Sequence, residues 1–569
     1  MNFFNPIGKL SRAAALVDVA VLGGIGALIY LLIQGGEQWT AEYRQAVEIN
    51  LSPWALPRYT MFSVFRNFVA YGLSLAFTLV FGRLAAVNRR TESVLVPVLD
   101  ILQSVPVLGF LPGLVLGLVA IFPKSNLGLE LACIVMMFTS QAWNMTFSFY
   151  QSVKSIPAEM NDAAKAARLT WWQRYLQLEL PAGAGGLVWN SMMSMAGGWF
   201  FLMVCEAFTL GSNDFRLPGI GSYMSVAIEK NNVPAMCYGI LAMSTVIVVL
   251  DQLVWRPLVV WSAKFRFDEE SGEQPTSRVL EWYQSSRVLA WVNSKVWRRL
   301  IQRVQPKVAV AGPSSAAGAG WVGRVAGWIA VVGGAVGLVW GATSLWGLLA
   351  QLQWADWQHV AWITLMSFLR VMAAVAVGAA WAIPFGVLIG TSPRLAKVLQ
   401  PVIQVVASFP APMVFPLLLL LFTACGIPMT ISAALLMLAG TQWYILFNVI
   451  SGAMVIPQDL KEAGTMFRLR GRERWRLLIV PGIFSQLVVG LATAAGGAWN
   501  ASICTEYVRV KGTVMSADGL GSAISICTDQ GNFPLLAATV TAMVVVVVGM
   551  NRLVWLPLYR LSERKYSLG

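Results

Sequence analysis

The sequence is poor in charge and has almost no histidine. Of its 569 residues, 12% are charged and 57% hydrophobic, against about 25% charged in a typical soluble domain, so its apolar surface exceeds what one water-soluble core buries. His359 is the single histidine, which excludes zinc sites of the His-Glu-x-x-His type and histidine triads repeated along the chain. There is no phosphate-binding loop, because Gly8-Lys9 is followed by Leu10 where such a loop needs Ser or Thr. Any ATP must be bound by another chain. The six cysteines (Cys133, Cys205, Cys237, Cys425, Cys504, Cys527) have no short metal-like spacing and mostly sit in or beside apolar runs, so they read as small hydrophobes, not as a disulfide framework. No basic stripe alternates with stacking aromatics. The excess of 41 Lys+Arg over 27 Asp+Glu therefore speaks for basic cytoplasmic loops and against a nucleic-acid partner.

What the chain does have is long apolar runs, each of the ~20 residues a bilayer requires. Six fall near Ala14–Gln34, Thr60–Val87, Val94–Phe122, Leu127–Tyr150, Ala182–Leu210 and Ala235–Ser262. Six more fall near Val322–Leu349, Ala361–Gly390, Lys397–Ala424, Ile427–Val455, Gly482–Cys504 and Leu535–Leu558. The first run is followed by many more, so it reads as a membrane helix and not as a cleaved signal. Trp residues number 24, which suits interfacial belts against lipid. Between the two sets, residues 263–320 are polar and end in the small-residue segment Gly312–Gly320, the composition of a linker. Within it, Val288–Val304 spaces apolar residues for a membrane-surface helix; Arg303 interrupts that stripe, which leaves a plain solvated connector as the alternative.

An internal repeat sets the architecture. Adding 300 carries Pro157 to Pro457, Pro181 to Pro481, Trp199 to Trp499, Glu206 to Glu506, Gly219 to Gly519 and Pro234 to Pro534. Upstream an offset of 304 pairs Arg66 with Arg370, Pro97 with Pro401, Ser104 with Ser408, Pro106 with Pro410 and Pro112 with Pro416. The expected fold is all-α and polytopic, about 12 transmembrane helices in two tandem six-helix repeats: residues 1–262, a linker at 263–320, and residues 321–569. An even number of spans per half makes the repeats parallel, related by an axis along the membrane normal. Arg83, Arg89 and Arg90 after the second span, and Arg394 and Lys397 after the eighth, place the linker and the N-terminus in the cytoplasm by the positive-inside rule.

On that same side lie two matched loops, 157–181 and 457–481. Each opens at a proline suited to a helix N-terminus, carries acids early and closes at a second proline, so each reads as a short helix outside the membrane. Here the chain resembles the permeases of binding-protein-dependent ABC importers (type I), whose cytoplasmic EAA motif is Glu-Ala-Ala, three residues, Gly, then a hydrophobic-Leu-Pro ending. Asp162-Ala163-Ala164 and Glu462-Ala463-Gly464 take the place of the triplet, and Pro181 and Pro481 close the motif. The family glycine is replaced by Arg168 and Arg468, which weakens the expectation of the usual turn. The resemblance implies that Asp162, Ala163, Ala164, Leu169 and Trp171 of one loop, and Glu462, Ala463, Gly464, Leu469 and Arg470 of the other, meet an ATPase subunit. It implies two copies of that ATPase, carrying the ATP and magnesium, a periplasmic solute-binding protein, and a place in the bacterial inner membrane. This chain then holds no cofactor and is not an enzyme. Ile456-Pro457, Phe467-Arg468-Leu469 and Ala498-Trp499-Asn500 look most like the nitrate, sulfonate, taurine and bicarbonate group, which implies a small oxyanion as solute.

Arg66, Arg370, Glu206 and Glu506 fall at similar depth within the spans, where ionisable groups are paired or face a wet cavity. They are either attractors beside the translocation path or symmetry-related salt bridges that fix helix packing. Gln103-Ser104 and Ser408 adjoin prolines that break spans three and nine, and a broken span often lines a substrate path; Trp143, Asn144, Gln442 and Trp443 are weaker candidates for the same role. The alternative function is an ion- or proton-coupled secondary transporter made of two six-helix halves. That reading needs acids near the midplane, and the sequence reading identifies none there.

Overall fold

A computed structural model of the chain describes residues 12–41, 47–104, 107–210, 213–265, 277–286, 288, 336–337, 339–510 and 513–565. The first half runs α1 (Arg12–Thr40), α2 (Pro53–Val87), α3 (Arg89–Ser104), α4 (Leu111–Ile121), α5 (Leu127–Lys154), the short α6 (Ala158–Ala166), and α7 (Trp171–Cys205). It ends with strands β1 (Ala207–Leu210) and β2 (Asn213–Arg216), then α8 (Ile220–Glu229) and α9 (Val233–Ser262). After α10 (Arg278–Ser285) and α11 (Val339–Leu349), the second half repeats the order as α12 (Trp354–Thr391), α13 (Pro393–Ser408), α14 (Phe415–Ala424) and α15 (Met429–Val455). There follow α16 (Gln458–Met466), α17 (Gly471–Thr505), β3 (Tyr507–Val510), β4 (Thr513–Ser516), α18 (Leu520–Gln530) and α19 (Phe533–Ser562).

The chain is all-α and polytopic apart from two small hairpins. Among the described residues seven helices, α2, α7, α9, α12, α15, α17 and α19, are long and apolar enough to cross a membrane. The expected third and ninth spans each divide, α3 from α4 and α13 from α14. Backbone chemistry explains the second break: α13 stops at Ser408, Phe409 is extended ahead of Pro410, and a 3-10 turn over Ala411–Met413 reaches α14, because a residue preceding proline is pushed out of the helical region. Pro106 of the first break lies outside the described residues, as do Gly312–Gly320, the expected helix after Val288, and the expected seventh span before residue 336.

Lipid and core divide the helices. Central α7 and α15 bury about half of their apolar windows, 56% and 50%, whereas outer α9 and α19 bury 28% and 22%, so Leu241 and Val545 point away from the protein where acyl chains are the compatible neighbour. In each half one long helix is clamped between two others: α5 between α2 and α7, and α15 between α12 and α17. The principal core mixes both halves, with Met137, Leu202, Tyr223 and Met243 in contact with the cluster that holds Met413, Met437, Trp499 and Met543. Starts are encoded locally. Asn232 and Asn532 each accept a hydrogen bond from the backbone three residues on, at 3.1 and 3.3 Å, with Pro234 and Pro534 in the first helical turn, the combination that satisfies orphan N–H groups cheaply.

The duplication holds at the level of single elements. From α6 to α9 each element reappears 300 residues on, and α3 reappears 304 on as α13. The change of offset falls between α4 and α5.

Candidate functional site

The two surface helices are built alike. Both α6 and α16 begin after a proline, Pro157 and Pro457, with backbone at φ −53° and −54°. Each ends in a Schellman turn. Leu169 N–H reaches Ala164 C=O at 3.1 Å and Arg168 N–H reaches Lys165 C=O at 2.9 Å; Leu469 N–H reaches Gly464 C=O at 2.9 Å and Arg468 N–H reaches Thr465 C=O at 3.0 Å. That motif needs one residue in the left-handed region, normally glycine. Arg168 and Arg468 occupy it at φ +49° and +53°. The substitution of the family glycine therefore leaves the turn intact, contrary to the expectation of a weakened one, because the turn's hydrogen bonds and leucine packing outweigh the left-handed cost of about 1–2 kcal/mol.

Neither loop stops at its second proline. α7 and α17 run unbroken through Pro181 and Pro481, each with a π turn just before it, Tyr175–Glu179 and Trp475–Ile479. Proline cannot donate to the preceding turn, and a wider turn lets the helix continue past the missing bond. Each lever is thus joined through a single tight turn to a membrane-length helix.

The levers present different surfaces. Loop 156–181 carries three bases and three acids, whereas loop 456–481 carries six bases and three acids. In the first, buried Glu179 pairs with Arg83 at 2.6 Å and Arg174 at 3.1 Å; Arg83 also lies over the Trp171 and Tyr175 rings. The second places Ile479 at the position of Glu179 and packs it into an apolar cluster. Of the residues expected to meet a partner, Asp162, Ala163, Trp171, Glu462 and Arg470 are exposed. Asp162 pairs with Lys165 at 2.8 Å. Ala164 and Gly464 are buried, Ala463, Leu169 and Leu469 half-buried, so the leucines and the small residues beneath them form the inward face of each turn.

At the opposite end of the bundle the charged candidates are interior. Arg66 is 1% exposed and donates to Glu206 at 2.7 Å and to Pro218 C=O at 2.9 Å. It also makes a two-pronged pair with Glu130, 2.5 and 2.7 Å. Ser63 Oγ and Gly221 N–H complete the Glu206 carboxylate at 2.7 Å each. The second half repeats this with Arg370, Glu506, Ser367 and Gly521 at 2.7–2.8 Å, and Arg370 donates to Asp518 C=O. It has no counterpart of Glu130, and Arg370 Nε is buried without a partner. All four ionisable candidates are thus salt-bridged and removed from solvent, the arrangement of the packing alternative. Sequence reading missed Glu130, an acid within an apolar run, and Ser63/Ser367, which the 304-residue offset pairs.

The carboxylates anchor the hairpins. β1 pairs antiparallel with β2 from Ala207↔Arg216 to Leu210↔Asn213, and β3 with β4 in the same register. Glu206 and Glu506 lead directly into them, each accepting through its carbonyl a backbone bond of 2.9 Å from Leu217 or Ala517. Between the hairpins lies a cavity of about 310 Å³ shared by both halves, with Asp214, Glu229, Arg509 and Asp529 on its wall. Arg509 pairs with Asp529, and Tyr507 donates to the same carboxylate at 2.5 Å. Burial and that bond push the Tyr507 phenol above its ordinary value, so it remains a neutral donor at physiological pH.

Of the remaining candidates, Gln442 and Trp443 line a second cavity of about 340 Å³ between α9 and the second half. Ser408 Oγ is turned back to Gln404 C=O at 2.8 Å, Gln103 and Asn144 are exposed, Trp143 is half-buried, and the Ser104 side chain lies outside the described set. The described residues contain no cluster of three or more His, Cys, Asp or Glu side chains able to hold a metal.

A family model for the inner membrane component of binding-protein-dependent transport systems matches residues 78–254 and again 382–566. The chain belongs to this family, in duplicated form. Similar proteins include the bicarbonate transport system permease CmpB of Synechocystis, 32% identical over 148 residues, 26% of this chain and 51% of that protein. The nitrate import permease NrtB of Synechococcus elongatus is 28% identical over 150 residues, 26% of this chain and 52% of its own. The taurine transport system permease TauC of Escherichia coli is 26% identical over 153 residues, 27% and 52% respectively. The chain spans about half the length of these curated relatives. This permease is thus a transport component with the motif-bearing loops of its family present twice.

Proposed function

We propose that this permease is the pore of an ATP-driven importer, with residues 1–262 and 321–569 as its halves and 263–320 as a linker on the cytoplasmic side. Two ATPase subunits, supplying ATP and magnesium, grip α6 and α16. Asp162, Ala163 and Trp171 in one loop, and Glu462, Ala463 and Arg470 in the other, form the contact, while Ala164, Gly464, Leu169 and Leu469 hold the levers to the bundle. A periplasmic binding protein delivers the solute to the hairpin face. The observation that carries this reading is mechanical. Each lever is tied by a Schellman turn to a helix that continues through a proline into the membrane, so a push on the lever is transmitted as rigid-body motion.

The solute is a small oxyanion, a reading supported by the printed functions of the relatives in the bicarbonate, nitrate and taurine group. Charges on the hairpin cavity are mutually paired, which fits a pore whose selectivity is set largely by the binding protein. Affinity capture of the chain from cells expressing its ATPase should retain that ATPase, and the permease alone should hydrolyse no ATP. Full uptake by the permease alone in ATP-free liposomes would instead establish the secondary-transporter reading.

A further inference from the structure

A further acid lies inside a span, one that the sequence pattern does not single out. Asp251 sits in a π turn, Asp251–Trp255, within α9. Its carboxylate accepts from Gln252 Nε2 at 2.9 Å and, across the boundary between the halves, from Gln404 Nε2 of α13 at 2.8 Å. An ionisable group at such depth is costly unless partnered and marks a functional position by default. The second cavity begins immediately beyond this contact. Ser244 and Ile247, two turns and one turn before Asp251, and Val405 and Val406, directly after Gln404, all line it. α9 runs from the hairpin face to the lever face, and α13 runs the other way, so the Asp251–Gln404 contact lies on the lever side of a cavity whose wall includes Gln442 and Trp443.

The duplicated chain adds a second, independent observation. The position equivalent to Gln404 is Asp100, and the position equivalent to Asp251 is Asn551. The two equivalent pairs of positions thus hold one acid and one amide each, with the residue types exchanged between the helices; the Asp100 side chain itself lies outside the described set. Where an acid and an amide meet, one carboxylate is kept and given a donor, whereas two acids would repel and two amides would forgo the charge-assisted bond.

We infer that Asp251 and Gln404 form the inner gate of the permease, a hydrogen-bonded clasp between its halves that shuts the lever-side end of the cavity and parts when the levers are moved. This rests on the transport reading above. Asp251 and Gln404 are positioning residues here: they hold the halves, and no contact with solute is assigned to them.

The test uses the full chain co-expressed with its ATPase, its six native cysteines replaced, and Val405→Cys as the reporter. Inverted membrane vesicles expose the lever face to a charged, membrane-impermeant thiol reagent. The reporter is expected to be protected in the parent. Gln404→Asp opposes two acids and should raise the labelling rate about tenfold, the response of a closed state shifted toward an open one. The exchange Asp251→Asn with Gln404→Asp recreates the residue order of the other boundary and should restore protection. A role of side-chain shape alone would not be rescued, because position 404 carries the same Asp in the single and the exchange variant. Protection unchanged in Gln404→Asp, or labelling in the exchange variant as fast as in the single one, overturns the gate. Gln404→Leu removes the donor without adding charge and is expected to open the site as well; continued protection there also overturns it. Absence of ATP-dependent uptake by the parent complex would strike the transport reading alone, since the labelling pattern is read without solute.

Discussion

The two buried arginines occupy the same place in the same motif, yet one is over-supplied with acid and the other is not. Arg66 faces Glu130 and Glu206, whereas Arg370 faces Glu506 and leaves its Nε unpartnered. Everything the halves share at this point, the serine one turn before the arginine, the glutamate and the glycine N–H beneath it, serves to hold a hairpin on the end of a long helix. What differs is the charge balance around that frame. The comparison teaches that geometry is fixed by the repeated residues, while electrostatics was free to diverge wherever the frame did not depend on it.

Breaking the frame should produce the largest effect. Arg66→Met strands two buried carboxylates and should cost about 3–5 kcal/mol, the range for orphaning a buried ion, while Arg370→Met strands one and should cost less. Thermal unfolding in detergent should rank Arg66→Met below Arg370→Met in melting temperature, and the reverse order would show that Glu130 adds nothing. A milder change sharpens the same point. Glu130→Gln makes the first cluster resemble the second in charge, retains the Glu206 pair, and should cost about 1–3 kcal/mol through the bonds that Glu130 no longer accepts.

The duplication, the spans and the paired levers were legible in the sequence because each is written in residues whose physics is local: apolar length, proline and a fixed offset. The hairpins were not. Their four-residue strands are too short to show alternation, and they follow directly on helices that read as continuous hydrophobic runs. Nor were the π turns legible, since proline in a sequence marks a missing donor without saying whether the helix ends or widens around it. Arg66 and Glu206 could be proposed as partners from depth alone, but Glu130 and the Asp251–Gln404 contact depend on which faces of non-consecutive helices meet. That information lies in the packing.

The levers offer a second contrast of the same kind, smaller in energy. Glu179→Ile copies the second loop, where Ile479 is buried among apolar neighbours, yet it deprives Arg83 and Arg174 of their shared carboxylate. Because both arginines are partly solvated, the cost should be about 1–2 kcal/mol, seen as faster proteolysis within 157–181 while cleavage of 457–481 stays unchanged.

The smallest effect should be the most symmetrical. Arg168 and Arg468 sit in nearly identical left-handed conformations, φ +49° and +53°, a region that penalises any side chain with a Cβ and leaves glycine unpenalised. Arg168→Gly and Arg468→Gly should therefore each stabilise the folded lever by up to about 1 kcal/mol, less the extra freedom glycine brings to the unfolded chain. Both arginines are exposed, so neither substitution removes a packed contact. Equal small rises in melting temperature would show that the turn is a property of the repeated frame, independent of the six bases on one loop and three on the other. A rise at Arg168 with a fall at Arg468 would instead assign the second arginine to the charge pattern of its loop, and would place the functional difference between the levers at the turn itself.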